Sequence, residues 1–457
     1  KQKHGVRLFN MSLNIPLAKR YNDTYCQFAY ELDKLAYEED ILIFLSVGNF
    51  DEDSLHDLVI TNTHPDHNYP TFFYNLNGAS QVHSCQNTNI SEPSESLNNV
   101  SVGALAGNLE DGDNTDVTPN NLSPAYYTRK FHFDYSQPVN KQPLRRNQSN
   151  KHLNKPDLVF DGGDLFKYEA GIEILRSPMA DGEKYYGRSC GTSLSTPLVT
   201  SYAAEILNTY PSLRTQTVKA LLINSASYFK KNNLPEFRIS TESVLKSLVG
   251  FGKPQKDKLL STDNNSIIFL VEDAIEVSQI LTIPIILPSY LKDSGNKLKF
   301  DISLCYSFLP VKDNHLNYLP LYISFNLVQN TEIKIVAEKD QTVYGIKAGF
   351  SWSEDHHGIE NRIFSNAQFK SYTLQSNDLN AVGDSIALGV RCLAKEEIPA
   401  THLSHLKSQK HYFSVAMRVT ELPENKASNQ LYSEMIACND ILNIAEAAGD
   451  ATIELES

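Results

Sequence analysis

The sequence predicts an α/β fold: a parallel sheet flanked by helices, followed by a second domain of β-sandwich type. Three observations point there. Near the start, the apolar runs Val6–Met11 and Ile41–Val47 bracket a helical stripe of Tyr25, Phe28, Leu32, Leu35 and Ala36. Strand, helix and strand with both strands apolar throughout is the pattern of a parallel βαβ unit. Beyond Gly250-Phe251-Gly252-Lys253-Pro254 the character changes to short strands and turns without a long helical stripe. Finally, 457 residues exceed one ordinary core. The expected division is 1–262 and 263–457.

In chain order, Phe50–Asn99 is rich in Asn, Ser, His and Asp and reads as a long loop insertion. Val100–Leu105 and Asp157–Phe160 are further strands, separated by a polar segment near Val117–Leu153. Ile172–Leu175 leads through a loop to a helix carrying Leu198, Val199, Tyr202, Ala203 and Ile206, and a second helix spans about Thr215–Ser225. The β-rich half holds Ser266–Val271, Leu281–Leu287, Leu298–Tyr306, Leu321–Leu327, Ile333–Ala337, Ile386–Cys392 and Tyr412–Val419, then an acidic tail.

Composition narrows the function. With 41% hydrophobic and 21% charged residues the chain is a globular protein, and its net charge of −13 argues against nucleic acid or an anionic membrane as partner. No apolar run is long enough to span a bilayer, and no signal-peptide pattern opens the chain. The cysteines Cys26, Cys85, Cys190, Cys305, Cys392 and Cys438 are scattered without metal-like spacing. They read as reduced, buried thiols of a cytoplasmic protein, with secretion as the alternative; disulfides stay open. No cofactor and no metal site is expected. Asp51-Glu52-Asp53 and Asp111-Gly112-Asp113 have the residues to hold calcium but no EF-hand spacing, and read as solvated acidic loops with calcium as the alternative.

The chemistry centres on Gly191-Thr192-Ser193-Leu194-Ser195-Thr196-Pro197, a serine on the first turn of a helix. Pro197 suits a helix start, where a missing N–H costs little, and not an interior. Free N–H groups and the helix dipole there favour negative charge, as an acyl-transfer site requires. The alternative is a capping Ser/Thr pair on a buried helix.

This heptapeptide resembles the serine motif of the subtilisin-like serine peptidases, Gly-Thr-Ser-x-[Ser/Ala]-x-Pro. Four further pieces follow that family's order: Phe9-Asn10-Met11-Ser12-Leu13, Ser46-Val47-Gly48-Asn49, Asn99-Val100-Ser101-Val102-Gly103-Ala104 and Lys155-Pro156-Asp157-Leu158-Val159. The resemblance covers about Val6 to Gly252. It implies Ser193 as nucleophile, with its own N–H and the Asn49 side-chain amide as oxyanion donors. It implies an extended polypeptide substrate against Ser12, Leu13 and Asn14, with Ser46, Val47 and Gly48 opposite and Thr192 beside the serine. Asn14 stands where relatives often have Gly, which bears on the shape of the main specificity pocket.

The family's Asp and His motifs precede the substrate-pairing strand, where this sequence has only Lys1–Gly5. A serine hydroxyl needs a positioned base. His4-Gly5 runs straight into a strand, whereas the family's His opens a helix. Asp161-Gly162-Gly163 follows a piece already placed, and His356-His357-Gly358 falls in the β-rich half. The resemblance therefore implies a sheet lacking its first strands, with Val6–Met11 as an open apolar edge. The expected partner is an upstream segment or chain carrying Asp and His, without which the chain would be inert as a peptidase. The rival expectation is a non-catalytic scaffold that binds peptides or a partner ATPase. Lys297–Leu304, Pro310 and Tyr318–Leu321 resemble the β-rich region of a bacterial subtilase subgroup. Its members generally look cytoplasmic and their genes often neighbour an AAA-type ATPase, which makes such an ATPase a candidate partner.

Overall fold

The computed structural model describes residues 5–19, 23–49, 69, 74–75, 83–84, 88–110, 112, 114–130, 155–165, 168–177, 185–226, 229–237, 242–260, 263–293, 295–312, 317–336, 340–353, 365–395, 398–422, 429–439 and 443–444. His4, Asp51–Asp53, Asp111, Asp113, His356–Gly358, most of the expected insertion and the last acidic residues lie outside them. The chain divides into two compact units: residues 1–204, 226–254 and 312–316, and residues 205–225, 255–311 and 317–457.

The first unit is built on a four-stranded parallel sheet of β1 (Leu8–Met11), β3 (Leu42–Ser46), β7 (Val100–Leu105) and β8 (Leu158–Asp161), in that spatial order. β3 and β7 have neighbours on both sides, and every residue in both is buried, which explains why neither carries a charged residue. β1 is an edge strand, half open, with Phe9 exposed. Among the described residues β1 is thus at the edge of this sheet, where the sequence places it.

Helix Gln27–Glu39 makes the crossover from β1 to β3. Cys26 caps it, its Sγ accepting from the Ala29 N–H at 3.3 Å, and Asp40 ends it in the left-handed conformation. Leu32 and Ala36 pack on Ile41, Ile43 and Leu45, with Met11 alongside. Each such large apolar side chain contributes about 1.5–3 kcal/mol on burial. The same helix buries Asp33, whose carboxylate accepts from Ser96 Oγ, the Leu97 N–H and the Asn98 N–H at 2.5–2.9 Å. Residues 88–99, within the stretch expected as a loop, are therefore fixed and almost wholly buried. They pair with the chain after β1 through β2 (Ile15–Ala18) and β6 (Ser91–Glu92). Two-residue strands β4 (Tyr74–Asn75) and β5 (His83–Ser84) form a ladder of their own.

Strands β9 (Ile172–Leu175) and β10 (Tyr186–Ser189) make an antiparallel hairpin that delivers the chain to helix Thr192–Thr209. Pro197 lies at the sixth position of this helix, not at its start. The interior is tolerated because the missing N–H would have reached the Ser193 carbonyl, which finds another donor.

The second unit holds two antiparallel sheets. One has five strands in the order β17 (Ala367–Gln375), β13 (Lys297–Cys305), β19 (His411–Glu421), β11 (Ser266–Ile275) and β20 (Asn443–Ile444); the other orders β12 (Ile280–Ile286), β18 (Ser385–Ala394) and β14 (Leu321–Gln329). Side chains tie one to the other: Tyr306 Oη donates to Leu321 O at 3.1 Å, Gln368 Nε2 to Ile323 O at 2.8 Å and Tyr372 Oη to Asn326 Oδ1 at 3.2 Å. Helix Thr215–Ala226 makes hydrogen bonds to the five-stranded sheet: Asn224 Nδ2 donates to Asp301 O at 2.8 Å and Ser303 Oγ to Ala220 O at 2.7 Å. Among the described residues the unit also has a small ladder of β15 (Lys334–Val336) and β16 (Asp340–Thr342) and the short helices Ser376–Val382, Ala400–Lys407 and Leu431–Cys438.

Candidate active site

Ser193 is the second residue of its helix and is exposed. Its N–H belongs to the first turn, where no intrahelical carbonyl can accept it. Before it, Gly191 adopts φ 152° and donates its N–H to Gly162 O at 2.9 Å, which anchors the helix start on the chain leaving β8. A Cβ at Gly191 would come within 3.3 Å of Asn49 Nδ2, so glycine here gives the amide its approach.

Asn49 lies just beyond β3 and is also exposed. Its side-chain Oδ1 accepts from the Thr192 N–H at 3.0 Å and from Thr192 Oγ1 at 2.8 Å. A backbone N–H can only donate, so the oxygen of the amide is fixed toward Thr192 and the NH2 group must face the other way. Thr192 is fully buried, whereas the two residues beside it in space are open. One strand end and one helix start are thus joined through the buried Thr192, with Asn49 and Ser193 exposed on either side of it.

The expected cleft walls are also brought together. Ser12 Oγ donates to the Ser193 carbonyl at 3.3 Å, and Asn14 Nδ2 donates to Ser46 Oγ at 3.4 Å. Ser46, Val47 and Gly48 are buried; the Val47 carbonyl accepts from the Ser91 N–H and the Gly48 carbonyl from the Arg129 N–H. Leu13 by contrast is 68% exposed, an apolar side chain held out to solvent beside the serine.

Behind the serine motif the electrostatics are those of a dry interior. Burial pushes the Cys190 thiol above its usual range and the Tyr127 phenol well above its own. Tyr127 Oη lies within hydrogen-bond distance of the Gly162 and Gly163 carbonyls, at 2.7 and 2.9 Å. Asp164 Oδ2 accepts from the N–H groups of Asp116, Val117 and Thr118 and from Thr118 Oγ1, while desolvation raises the acid's pKa. Among the described residues no hydrogen bond joins Ser193 Oγ to a histidine.

Among the described residues one group of three metal-ligand types lies close together, Cys26, Glu92 and Glu95. Lys19 Nζ already stands there, 3.1 Å from Glu92 Oε1 and 3.3 Å from Glu95 Oε1. Burial and the adjacent carboxylates push the Cys26 thiol up to about 12, so it stays protonated at neutral pH. An ammonium takes the position a cation would need.

Sequence reasoning missed Thr128 and Arg129. Thr128 bridges to Asn49 in the manner of a strand, and the Arg129 Nε donates to the Asn49 carbonyl at 3.2 Å. They lie in the segment expected to be a polar separator, but Ala125–Lys130 is buried throughout. Six residues free of Gly, Pro, Asn, Asp and Ser were the available signal.

A model of the subtilase family, Peptidase S8, matches residues 1–252. A curated protein of Sinorhizobium fredii (strain NBRC 101917 / NGR234), the uncharacterized protein y4bN, is 24% identical over 464 residues, covering 95% of this chain and 96% of its own length. Similar solved structures include a protease from Pseudoalteromonas arctica PAMC 21717 (14% identity, TM-score 0.30, 55% of this chain and 50% of that one) and Sphericase (16%, 0.27, 48% and 48%). MycP1 with its N-terminal propeptide removed is another (16%, 0.30, 56% and 63%). The chain spans about half to three-fifths of the length of these three. The family model covers 252 of 457 residues, so the protein belongs to the subtilase family and carries the scaffold of a serine peptidase.

Proposed function

We propose that this chain is the nucleophile-bearing part of a serine endopeptidase. Ser193 Oγ attacks the scissile carbonyl, and the resulting oxyanion rests on the Ser193 N–H and Asn49 Nδ2. The substrate lies extended along Ser12, Leu13 and Asn14, with Ser46, Val47 and Gly48 as the opposite wall. A histidine takes the serine proton and returns it to the leaving amine, oriented by an aspartate. Both come from polypeptide outside these 457 residues.

One observation carries this reading. Thr192, the first residue of the serine helix, holds Asn49 Oδ1, so that the NH2 group is turned away from Thr192 on a residue open to solvent. A residue serving only as a strand-end turn has no need of that orientation.

The test is a fluorophosphonate probe applied to the protein expressed from its locus together with the adjoining coding sequence. Labelling at Ser193, abolished by Ser193→Ala, is the expected result. Absence of labelling there would favour the second reading, a scaffold that binds peptides or a partner ATPase.

A further inference from the structure

The Asn49 side chain is fixed by Thr192, but an amide aimed at an oxyanion must also be fixed at its main chain. That task falls to Arg129, which is 6% exposed. Its Nε donates to the Asn49 carbonyl at 3.2 Å and its Nη1 to the Asn89 carbonyl at 3.1 Å. Its own N–H donates to the Gly48 carbonyl at 3.2 Å. One residue therefore grips the two peptide units on either side of the Asn49 Cα and ties them to a third segment. The grip dictates the residue before Asn49 as well. Gly48 has φ 96°, and a Cβ there would meet Arg129 Cδ at 2.9 Å and Ser91 Oγ at 2.7 Å. The chain keeps glycine at that point, and the guanidinium stem passes over it.

Resting on the proposed function above, the geometry points to Arg129 as a positioning residue for the oxyanion: it acts through Asn49 and touches no substrate. The planar fork is what the task needs, since two carbonyls in different directions are held by different nitrogens of one rigid group. A lysine would hold one of them. Small displacements of such a donor are costly, because its worth depends on its distance from the developing charge.

The experiment compares Arg129→Met and Arg129→Lys with wild type, alone and combined with Asn49→Ala, in the protein expressed with its adjoining coding sequence. Thermal midpoints are read alongside. Arg129→Met should lower kcat about tenfold with KM unchanged, Arg129→Lys should recover part of the loss, and Arg129→Met should add nothing in the Asn49→Ala background. A loss that adds fully to that of Asn49→Ala, or none at all, would overturn the assignment. A second readout needs no catalysis: the Asn49 side-chain amide signals in a 15N NMR spectrum, identified by their loss in Asn49→Ala, should move in Arg129→Met. Unmoved signals would sink the inference, even in a protein that proves to hydrolyse nothing. Silence of the wild-type protein toward probe and substrate would count against Ser193 as nucleophile and leave the amide readout to decide on Arg129.

Discussion

The Ser12 hydroxyl donates to the Ser193 carbonyl at 3.3 Å, the acceptor that Pro197 leaves without a helical N–H. The proline four residues after the serine thus frees a carbonyl, and the strand end beside the cleft captures it. Strand and helix are held in register at the place where a substrate would lie.

Ser12→Ala should cost about 0.5–1.5 kcal/mol of stability, the usual worth of one such bond, and slow the labelling of Ser193. Urea unfolding and the time course of probe incorporation check both. A variant as stable and as quickly labelled as wild type would show the bond to be idle.

Asn49→Ala should lower kcat by roughly 10²–10³ while leaving KM nearly unchanged, because the lost donor acts on the oxyanion and not on the bound peptide. Steady-state kinetics on a peptide substrate separate the two parameters. A rise in KM at constant kcat would reassign Asn49 to substrate binding.

Asn14 Nδ2 donates to Ser46 Oγ at 3.4 Å, across what the proposed function makes the two walls of the cleft. Asn14→Gly should open that space, so that peptides with Phe before the scissile bond gain about tenfold in kcat/KM over those with Ala. An unchanged ratio would place the specificity pocket elsewhere.

Lys19→Met should destabilise the protein by about 3–5 kcal/mol, since it leaves the buried Glu95 carboxylate uncompensated. Lys19 is 4% exposed and Glu95 is 1% exposed. The midpoint of urea unfolding reports the loss; a shift below 1 kcal/mol would mean that the pair is solvated.

His411 is buried, with Nε2 2.9 Å from the Leu406 carbonyl, and burial holds its pKa below 6.5. The unfolded chain therefore takes up this proton first. The contribution of His411 to stability is complete above about pH 6.5 and is lost as pH falls toward the depressed native value. His411→Gln should flatten the decline in thermal midpoint between pH 7.5 and 5.5; an identical decline would exclude His411 as its source.

The central strands of the first unit, Leu42–Ser46 and Val100–Leu105, were legible because they are buried on both faces and so carry no charged residue. Ser193 and Asn49 could be singled out because the pieces Gly191–Pro197 and Ser46–Asn49 resemble family motifs, and the structure brings the two pieces together through Thr192. Ala367–Gln375 escaped notice for the opposite reason. Its buried face carries Gln368, Lys370, Tyr372 and Leu374, so polarity hides the alternation. Arg129 escaped because a long-range bond to a carbonyl leaves no trace in the neighbouring sequence. Pro197 was placed too near the helix start because only the fold shows that Ser12 replaces its missing donor.

The parallel sheet places β1, β3, β7 and β8 side by side in the order in which they occur along the chain. Each strand therefore adds to an edge made of polypeptide synthesised before it. The order in space repeats the order in sequence, so no strand of this sheet waits for a later one to separate it from its predecessor. The strand end that carries Asn49 therefore lies between two strands that both precede the Ser193 helix in the chain.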